Sequence, residues 1–224
     1  MLFVSGIIAG ISSANAAITN GDFSTGDYSG WMTDTDGMAG SENDFFIQDI
    51  DGGYRAEIQV DYWNNVPNDA FIANTLYQEM DLTVDEGYGI NLSFDWEFTG
   101  EDGDLDIGDY WFAAFGDGSG NYYDANGDQG FLVEESSEYG AGSFAVDLGE
   151  SLLNQNGWTI EFQLLPGLDS EIWDVNYLGS SLFIDNVSLS IYELPVTEVP
   201  EPPFFMLAAF GVLALIRVRR RSQK

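Results

Sequence analysis

Asn91-Leu92-Ser93-Phe94-Asp95-Trp96-Glu97-Phe98 decides how this chain folds. Apolar and polar side chains alternate with a period of two. In an extended strand the four large apolar groups therefore share one face, and Asn91, Ser93, Asp95 and Glu97 share the other. A helix would scatter the same residues around its axis. The pattern recurs along the chain. Ala56, Ile58, Val60 and Tyr62 alternate with Arg55, Glu57, Gln59 and Asp61. Phe144, Val146 and Leu148 alternate with Ala145 and Asp147, and Trp158, Ile160, Phe162 and Leu164 with Thr159, Glu161 and Gln163. Phe183, Asp185, Val187, Leu189 and Ile191 make the expected face of a last strand, with Asp185 interrupting its apolar run. Between these runs lie turn signals: Asp51-Gly52-Gly53, Glu86-Gly87, Gly100 to Gly103, Gly116 to Gly120, Asn126-Gly127-Asp128 and Asn156-Gly157. No amphipathic helix precedes the C-terminal tail. Short strands with one polar face and frequent turns predict an all-β chain, an antiparallel β-sandwich of jelly-roll-like arrangement, over residues 17–194.

Composition bounds what such a sandwich does. All 38 acidic residues precede residue 217, where Arg55 is the only cation, so this part of the chain carries a formal charge of −37. A surface of that sign repels nucleic acid and anionic lipid. The chain is not a disordered acidic tail, because 15% of it is aromatic. It contains no Cys, so stability must come from the core or from bound metal. It also contains no His, which removes Ser-His and Cys-His nucleophilic pairs and the usual zinc ligands.

The tail says where the chain goes. Val199-Pro200-Glu201-Pro202 and Pro203 lead into an uncharged apolar run, Phe204 to Ile216, followed by Arg217, Arg219, Arg220, Arg221 and Lys224. Residues 195–203 read as a stiff, extended linker. Residues 204–216 read as a transmembrane helix, about 20 Å long at 1.5 Å per residue. That is short for a bilayer, but the arginines extend the span by snorkelling and mark residues 217–224 as a cytoplasmic basic tail. Together these parts resemble the PEP-CTERM sorting signal of Gram-negative bacteria. The resemblance implies export, membrane anchoring during sorting by an exosortase-type enzyme, and a place at the cell surface or in the exopolysaccharide and biofilm matrix. The head agrees. Leu2 to Ile11 is mostly apolar and Ala14-Asn15-Ala16 is a small-x-small cleavage site, so residues 1–16 read as a signal peptide with Ala17 the mature N-terminus. The Lys or Arg that ordinarily precedes such a stretch is missing, which points to a start upstream of Met1 or a truncation.

A second resemblance concerns the sandwich. Asn20-Gly21-Asp22-Phe23, then Gly26 and Ser29-Gly30-Trp31, is similar to the opening of carbohydrate-binding-module-like jelly rolls, and Phe183-Ile184-Asp185-Asn186-Val187-Ser188-Leu189 to their closing strand. The resemblance implies structural Ca²⁺ where first and last strands meet, with Asp185 as a ligand and Asn20 or Asp22 supplying oxygens. Ser24 departs from the acidic residue common in that family. The alternative for Asp185 is a hydrogen bond to neighbouring backbone.

Other candidates follow from residue chemistry. Asp102, Asp104 and Asp106 form a D-x-D-x-D run whose alternate carboxylates suit Ca²⁺; a solvated acidic loop is the alternative reading. Asp117, Asp124, Asn126 and Asp128 are a similar, weaker set. Aromatic rings stack on sugar faces, which makes Trp63, Tyr122, Tyr123 and Trp173, all near turns, candidates for polysaccharide binding. Trp96, Trp111 and Trp158 sit on strands and are expected in the core. Asp95 and Glu97 share a strand face at a spacing glycosidases use, but alternation alone accounts for them, so no catalytic residue is assigned. Arg55 is expected to pair with Glu57 or with neighbours of Asp61. The expected role is that of an exported, anchored, non-catalytic matrix protein, with a carbohydrate-binding module and a glycan-active hydrolase as the alternatives.

Overall fold

The structure is a computed structural model. It describes residues 17–35, 44–60, 73–100, 108–136, 138–169, 174–175 and 179–195. No helix occurs among them, and the strands, in chain order, are β1 (Met32–Thr35), β2 (Phe45–Ile50), β3 (Gly53–Val60), β4 (Asn74–Glu79), β5 (Tyr88–Gly100), β6 (Tyr110–Gly116), β7 (Tyr122–Tyr123), β8 (Val133–Ser136), β9 (Gly140–Asp147), β10 (Thr159–Leu165), β11 (Leu168–Asp169), β12 (Asp174–Val175) and β13 (Ser180–Glu193). One sheet runs β1-β4-β10-β6-β7, with β8 also on β6; the other runs β2-β3-β13-β5-β9, and β11 pairs with β12 apart from both. Every named pairing is antiparallel. The chain divides into two compact units between Glu193 and Leu194. The first is an antiparallel, jelly-roll-like sandwich.

Its core is the set of inward faces that alternation predicts. Leu92, Phe94 and Phe98 of β5, Ala56, Ile58 and Val60 of β3, and Ile160, Phe162 and Leu164 of β10 are all buried. Aromatic pairs tie the sheets together: Phe94 of one meets Phe162 of the other edge-on at 5.0 Å, and Trp96 packs against Trp111 at 5.0 Å. Such pairs add about 0.5–1.5 kcal/mol each beyond the area they bury. Trp111 is buried, while Trp96 and Trp158 are half-buried against the core.

The last strand departs from the expected single face. Leu182 and Ile184 point inward, then Val187, Leu189 and Ile191 do, so the inward phase shifts by one residue. The register against β5 shifts at the same place, between Asp185 and Ser188. This is a β-bulge, with Asn186 in the left-handed region at φ 52°. It turns Phe183 and Asp185 to the outer face, so Asp185 does not share a face with Val187. Because the side-chain period is two, one extra residue is the only local way to keep both apolar sets in the core.

The bulge also receives the opening segment. The Val187 N–H donates to the Gly21 carbonyl at 2.9 Å. Beside it Phe23 is fully buried and stacks on Trp31 at 5.5 Å, and the Trp31 indole N–H donates to the Asn20 carbonyl at 3.1 Å. The opening and closing motifs therefore meet. Gly21 is required there, because a Cβ would overlap the Val187 carbonyl oxygen. Gly21→Ala is expected to cost about 1–3 kcal/mol in urea unfolding, as overpacking does. Gly53→Ala, where a Cβ meets only ordinary contacts at 3.7 Å, is the control expected within about 0.5 kcal/mol of wild type.

Candidate functional site

Among the described residues, a surface depression with polar side chains lies on the outer face of each sheet. On the first sheet, cross-strand register places Asp34 beside Thr75, Thr75 beside Gln163, and Tyr77 beside Glu161. These residues, with Tyr122 and with Gly118 and Gly120, line a cleft of about 220 Å³. Tyr122 forms one wall. Its ring packs edge-on against Phe112 at 5.2 Å, and its hydroxyl accepts from Gln163 Nε2 at 2.6 Å. Gln163 Nε2 also donates to Glu161 Oε2 at 3.2 Å, and Thr159 Oγ1 donates to Glu161 Oε1 at 2.7 Å. The amide and carboxylate are thus fixed in orientation, with lone pairs left over. Gly118 and Gly120 have positive φ and nothing within 4 Å of a notional Cβ, so their loop leaves the cleft open.

Tyr123, the neighbouring candidate, is used differently. Its ring meets Trp158 edge-on at 4.9 Å and its hydroxyl donates to Asp117 Oδ2 at 3.3 Å. The Asp117 carboxylate also accepts from the Asn121 amide, Ser119 N and Asn121 N, which hold its pKa below the ordinary value. Asp124 Oδ1 likewise accepts from Asn126 N and Asp128 N. These acids brace turns.

On the second sheet, a depression of about 420 Å³ is lined by Arg55, Asp95, Glu97, Phe183 and Asp185, with a wall from Ala141 to Ser143. Arg55 pairs with Glu97, not with Glu57 as the sequence suggests. Glu57 is buried and accepts from Gln59 and Ser181, whereas Glu97 faces Arg55 across β13. The guanidinium lies 3.7 Å over the Phe183 ring and donates twice to Gln48 Oε1. Asp95 accepts from Ser143 Oγ and from Asn186 Nδ2. Asp95 and Glu97 are both committed to static partners.

Asp185 sits opposite Asp95 in the register of β13 on β5. Burial pushes its pKa up first, the carboxylates of Asp95 and Asp22 add to that, and hydrogen bonding from Asn186 N opposes it. Asp22 thus lies within electrostatic reach of Asp185. Asn20 does not turn toward them: its Oδ1 accepts from Thr25 N and its Nδ2 donates to the Asp27 carbonyl. Ca²⁺ takes six to eight oxygens, and among the described residues no three acidic side chains gather to hold a metal. Asp102, Asp104, Asp106, Trp63, Trp173, the signal peptide, the sorting motif with its anchor and all of the chain from residue 196 onward lie outside the described residues. Among the described residues no helix is long and apolar enough to cross a membrane.

No protein-family model matches the chain, and no curated protein matches it in sequence. Solved structures similar in fold include carbohydrate-binding modules. A CBM4 module is 13% identical over 73% of this chain and 96% of its own, with a TM-score of 0.38. The CBM22-1 xylan-binding domain of Paenibacillus barcinonensis Xyn10C is 10% identical over 81% of this chain and 97% of its own, with a TM-score of 0.40. The K3 adhesin domain of Lys-gingipain from Porphyromonas gingivalis is 16% identical over 78% of this chain and 99% of its own, with a TM-score of 0.44. Such likeness concerns strand arrangement, and no site is carried from them to this chain.

The raised pKa of Asp185 has a consequence for stability. Its ionised form is penalised in the folded state, so the penalty is present at neutral pH, fades as pH falls through the folded pKa, and is gone below the unfolded value. Asp185→Asn keeps the oxygen that accepts from Asn186 N. It should raise the melting temperature at neutral pH and leave it unchanged well below the ordinary carboxylate pKa of about 3.9.

Proposed function

We propose that this chain is an exported, cell-surface-anchored, non-catalytic protein of the extracellular matrix or exopolysaccharide layer, and that its sandwich holds saccharide in the cleft of the first sheet. The observation that carries the reading is the convergence of Tyr122, Tyr77, Gln163, Glu161, Thr75 and Asp34 in one open cleft. A sugar offers an apolar C–H face and a rim of hydroxyls. Tyrosine supplies a flat apolar body with a polar tip. Carboxylate and amide side chains accept from and donate to hydroxyls in defined directions. Export and sorting rest on the sequence of the tail, Val199 to Lys224, and of the head, residues 1–16. Exosortase-type processing would move the chain from the inner membrane to the surface of a Gram-negative cell.

The non-catalytic reading has physical support. The chain contains no His and no Cys. The strand-borne carboxylate pair weighed for catalysis, Asp95 and Glu97, is tied to Ser143, Asn186 and Arg55. Structural Ca²⁺ belongs to this proposal through the Asp102-Asp104-Asp106 run. A bound ion stabilises the native state as RT ln(1 + [L]/Kd), so equal melting temperatures in chelator and in millimolar calcium would remove it.

Binding is tested by affinity electrophoresis and calorimetry of the full-length chain against a panel of soluble polysaccharides. Retention by at least one is expected, with Tyr122→Ala and Gln163→Ala each weakening it by about tenfold or more. Tyr122→Phe should retain most of the stacking. Retention unaltered in both alanine variants, or no retention by any member of the panel, would count against the cleft.

A further inference from the structure

Sheet edges expose unpaired backbone groups, and proteins ordinarily blunt them with Lys, Pro, bulges or short length. Here β9 is the longest outer strand of the second sheet and none of these devices is present: Gly140-Ala141-Gly142-Ser143-Phe144-Ala145-Val146-Asp147 has no Lys, no Pro and one charge, at its end. Among the described residues β9 pairs with β5 alone, in unbroken register from Asn91↔Asp147 to Phe98↔Gly140. Leu148 N, just past the strand, donates to the Ile90 carbonyl. Alternation then points the N–H and C=O groups of Val146, Phe144 and Gly142 toward β5. Those of Asp147, Ala145, Ser143 and Ala141 point away from it. These four residues are all exposed, and among the described residues no strand pairs with this edge.

The outer face beside this edge is acidic and stepped down. Ala141, Ser143 and Ala145 are small, and the next strand presents Glu97 opposite Ala141 and Asp95 opposite Ser143. Behind them stand Asp185 and the depression it lines. A long side chain on a strand added to β9 would cross the low shelf of Ala141 and Ser143 and end beside these carboxylates.

We propose that β9 is a docking edge for an extended peptide segment carrying Lys or Arg at alternate positions, which adds to the second sheet as a further antiparallel or parallel strand. The backbone groups of Ala141, Ser143, Ala145 and Asp147 supply the main-chain hydrogen bonds, and Asp95, held by neutral partners only and with the field of Asp185 behind it, selects the basic side chains. Charge decides the occupant. A second copy would bring the same excess, 38 acidic residues against Arg55 before residue 217, and would be repelled at ordinary ionic strength. A basic segment is attracted by the same field. The proposal is independent of the saccharide cleft, which lies on the other sheet.

The test is calorimetry and ¹⁵N-resolved NMR of the full-length chain with the peptide Thr-Lys-Val-Lys-Val-Lys-Thr. The controls are the same peptide N-methylated at alternate residues and one with Glu in place of Lys. The lysine peptide should bind and shift the amides of Ala141, Ser143 and Ala145. The N-methylated peptide, equal in charge but unable to pair, should bind about tenfold more weakly or worse, and the Glu peptide should not bind. Ser143→Pro removes an outward N–H and should cause the same loss. The N-methylated peptide keeps the test valid if that variant fails to fold. Equal binding of the two lysine peptides, shifts confined to other residues, or absence of binding would overturn the proposal. So would sedimentation showing that β9 pairs with a second copy instead.

Discussion

Much of this fold depends on the one-residue bulge at Asp185-Asn186-Val187. Without it, Leu182 and Ile184 on one side and Val187, Leu189 and Ile191 on the other would not share the core. A sheet face is buried or exposed as a whole, so a phase error of one residue would expose one of these sets. The bulge also frees one N–H, that of Val187, and the Gly21 carbonyl takes it. The opening segment is thereby docked, bringing Phe23 and Trp31 under the end of the sandwich and Asp22 near Asp185. A local irregularity in the last strand closes the fold at its beginning. The non-glycine residues there, Phe23 at φ 48° and Asn186 at φ 52°, hold conformations that cost energy, and the packing around them outweighs that cost.

Electrostatics shape the outer surface in a similar all-or-none way. Arg55 is the only cation before residue 217, and it does not roam. It lies over Phe183, is held by Gln48 and pairs with Glu97, so one charge organises side chains from four adjacent strands. The pair is partly exposed, so its direct contribution to stability is small. Its consequence is one of sign. Once Glu97 is neutralised locally, Asp95 and Asp185 are left as the unbalanced carboxylates of this depression.

The sequence was legible where one face is wet and opaque where both are dry. β3, β5, β9 and β10 declare themselves by alternation because their outer positions are polar or small. β6 does not: Trp111, Phe112, Ala113, Ala114 and Phe115 are all buried, so no period of two survives. β4 was hidden for the opposite reason. Its inward positions include Asn74 and Gln78, buried polar groups whose bonds go to Asp44, to the Gln59 carbonyl and to Thr19. Of the cleft, only Tyr122 announced itself, as an aromatic beside a glycine-rich turn. Asp34, Thr75 and Gln163 have no motif in common. They meet through cross-strand register alone, which a single sequence does not reveal.

The two outer faces differ in what remains available for recognition. On the second sheet, side-chain acceptors are largely matched within the protein: Glu57 by Ser181 and Gln59, Glu97 by Arg55, Asp95 by Ser143 and Asn186. What is left over there is charge and, in β9, an edge that no other described strand pairs with. On the first sheet, Glu161 and Gln163 are oriented by each other and by Tyr122 and Thr159, while Asp34, Thr75 and Tyr77 stand nearby in register. What is left over is a set of neutral and anionic groups set to exchange hydrogen bonds with hydroxyls, with no cation among the residues that line the cleft. An anionic ligand would meet Asp34 and Glu161 without a counter-charge and would be disfavoured. A saccharide held there, as proposed, would be uncharged or amino-bearing rather than acidic, a preference that follows from the same scarcity of cations that governs the rest of the surface.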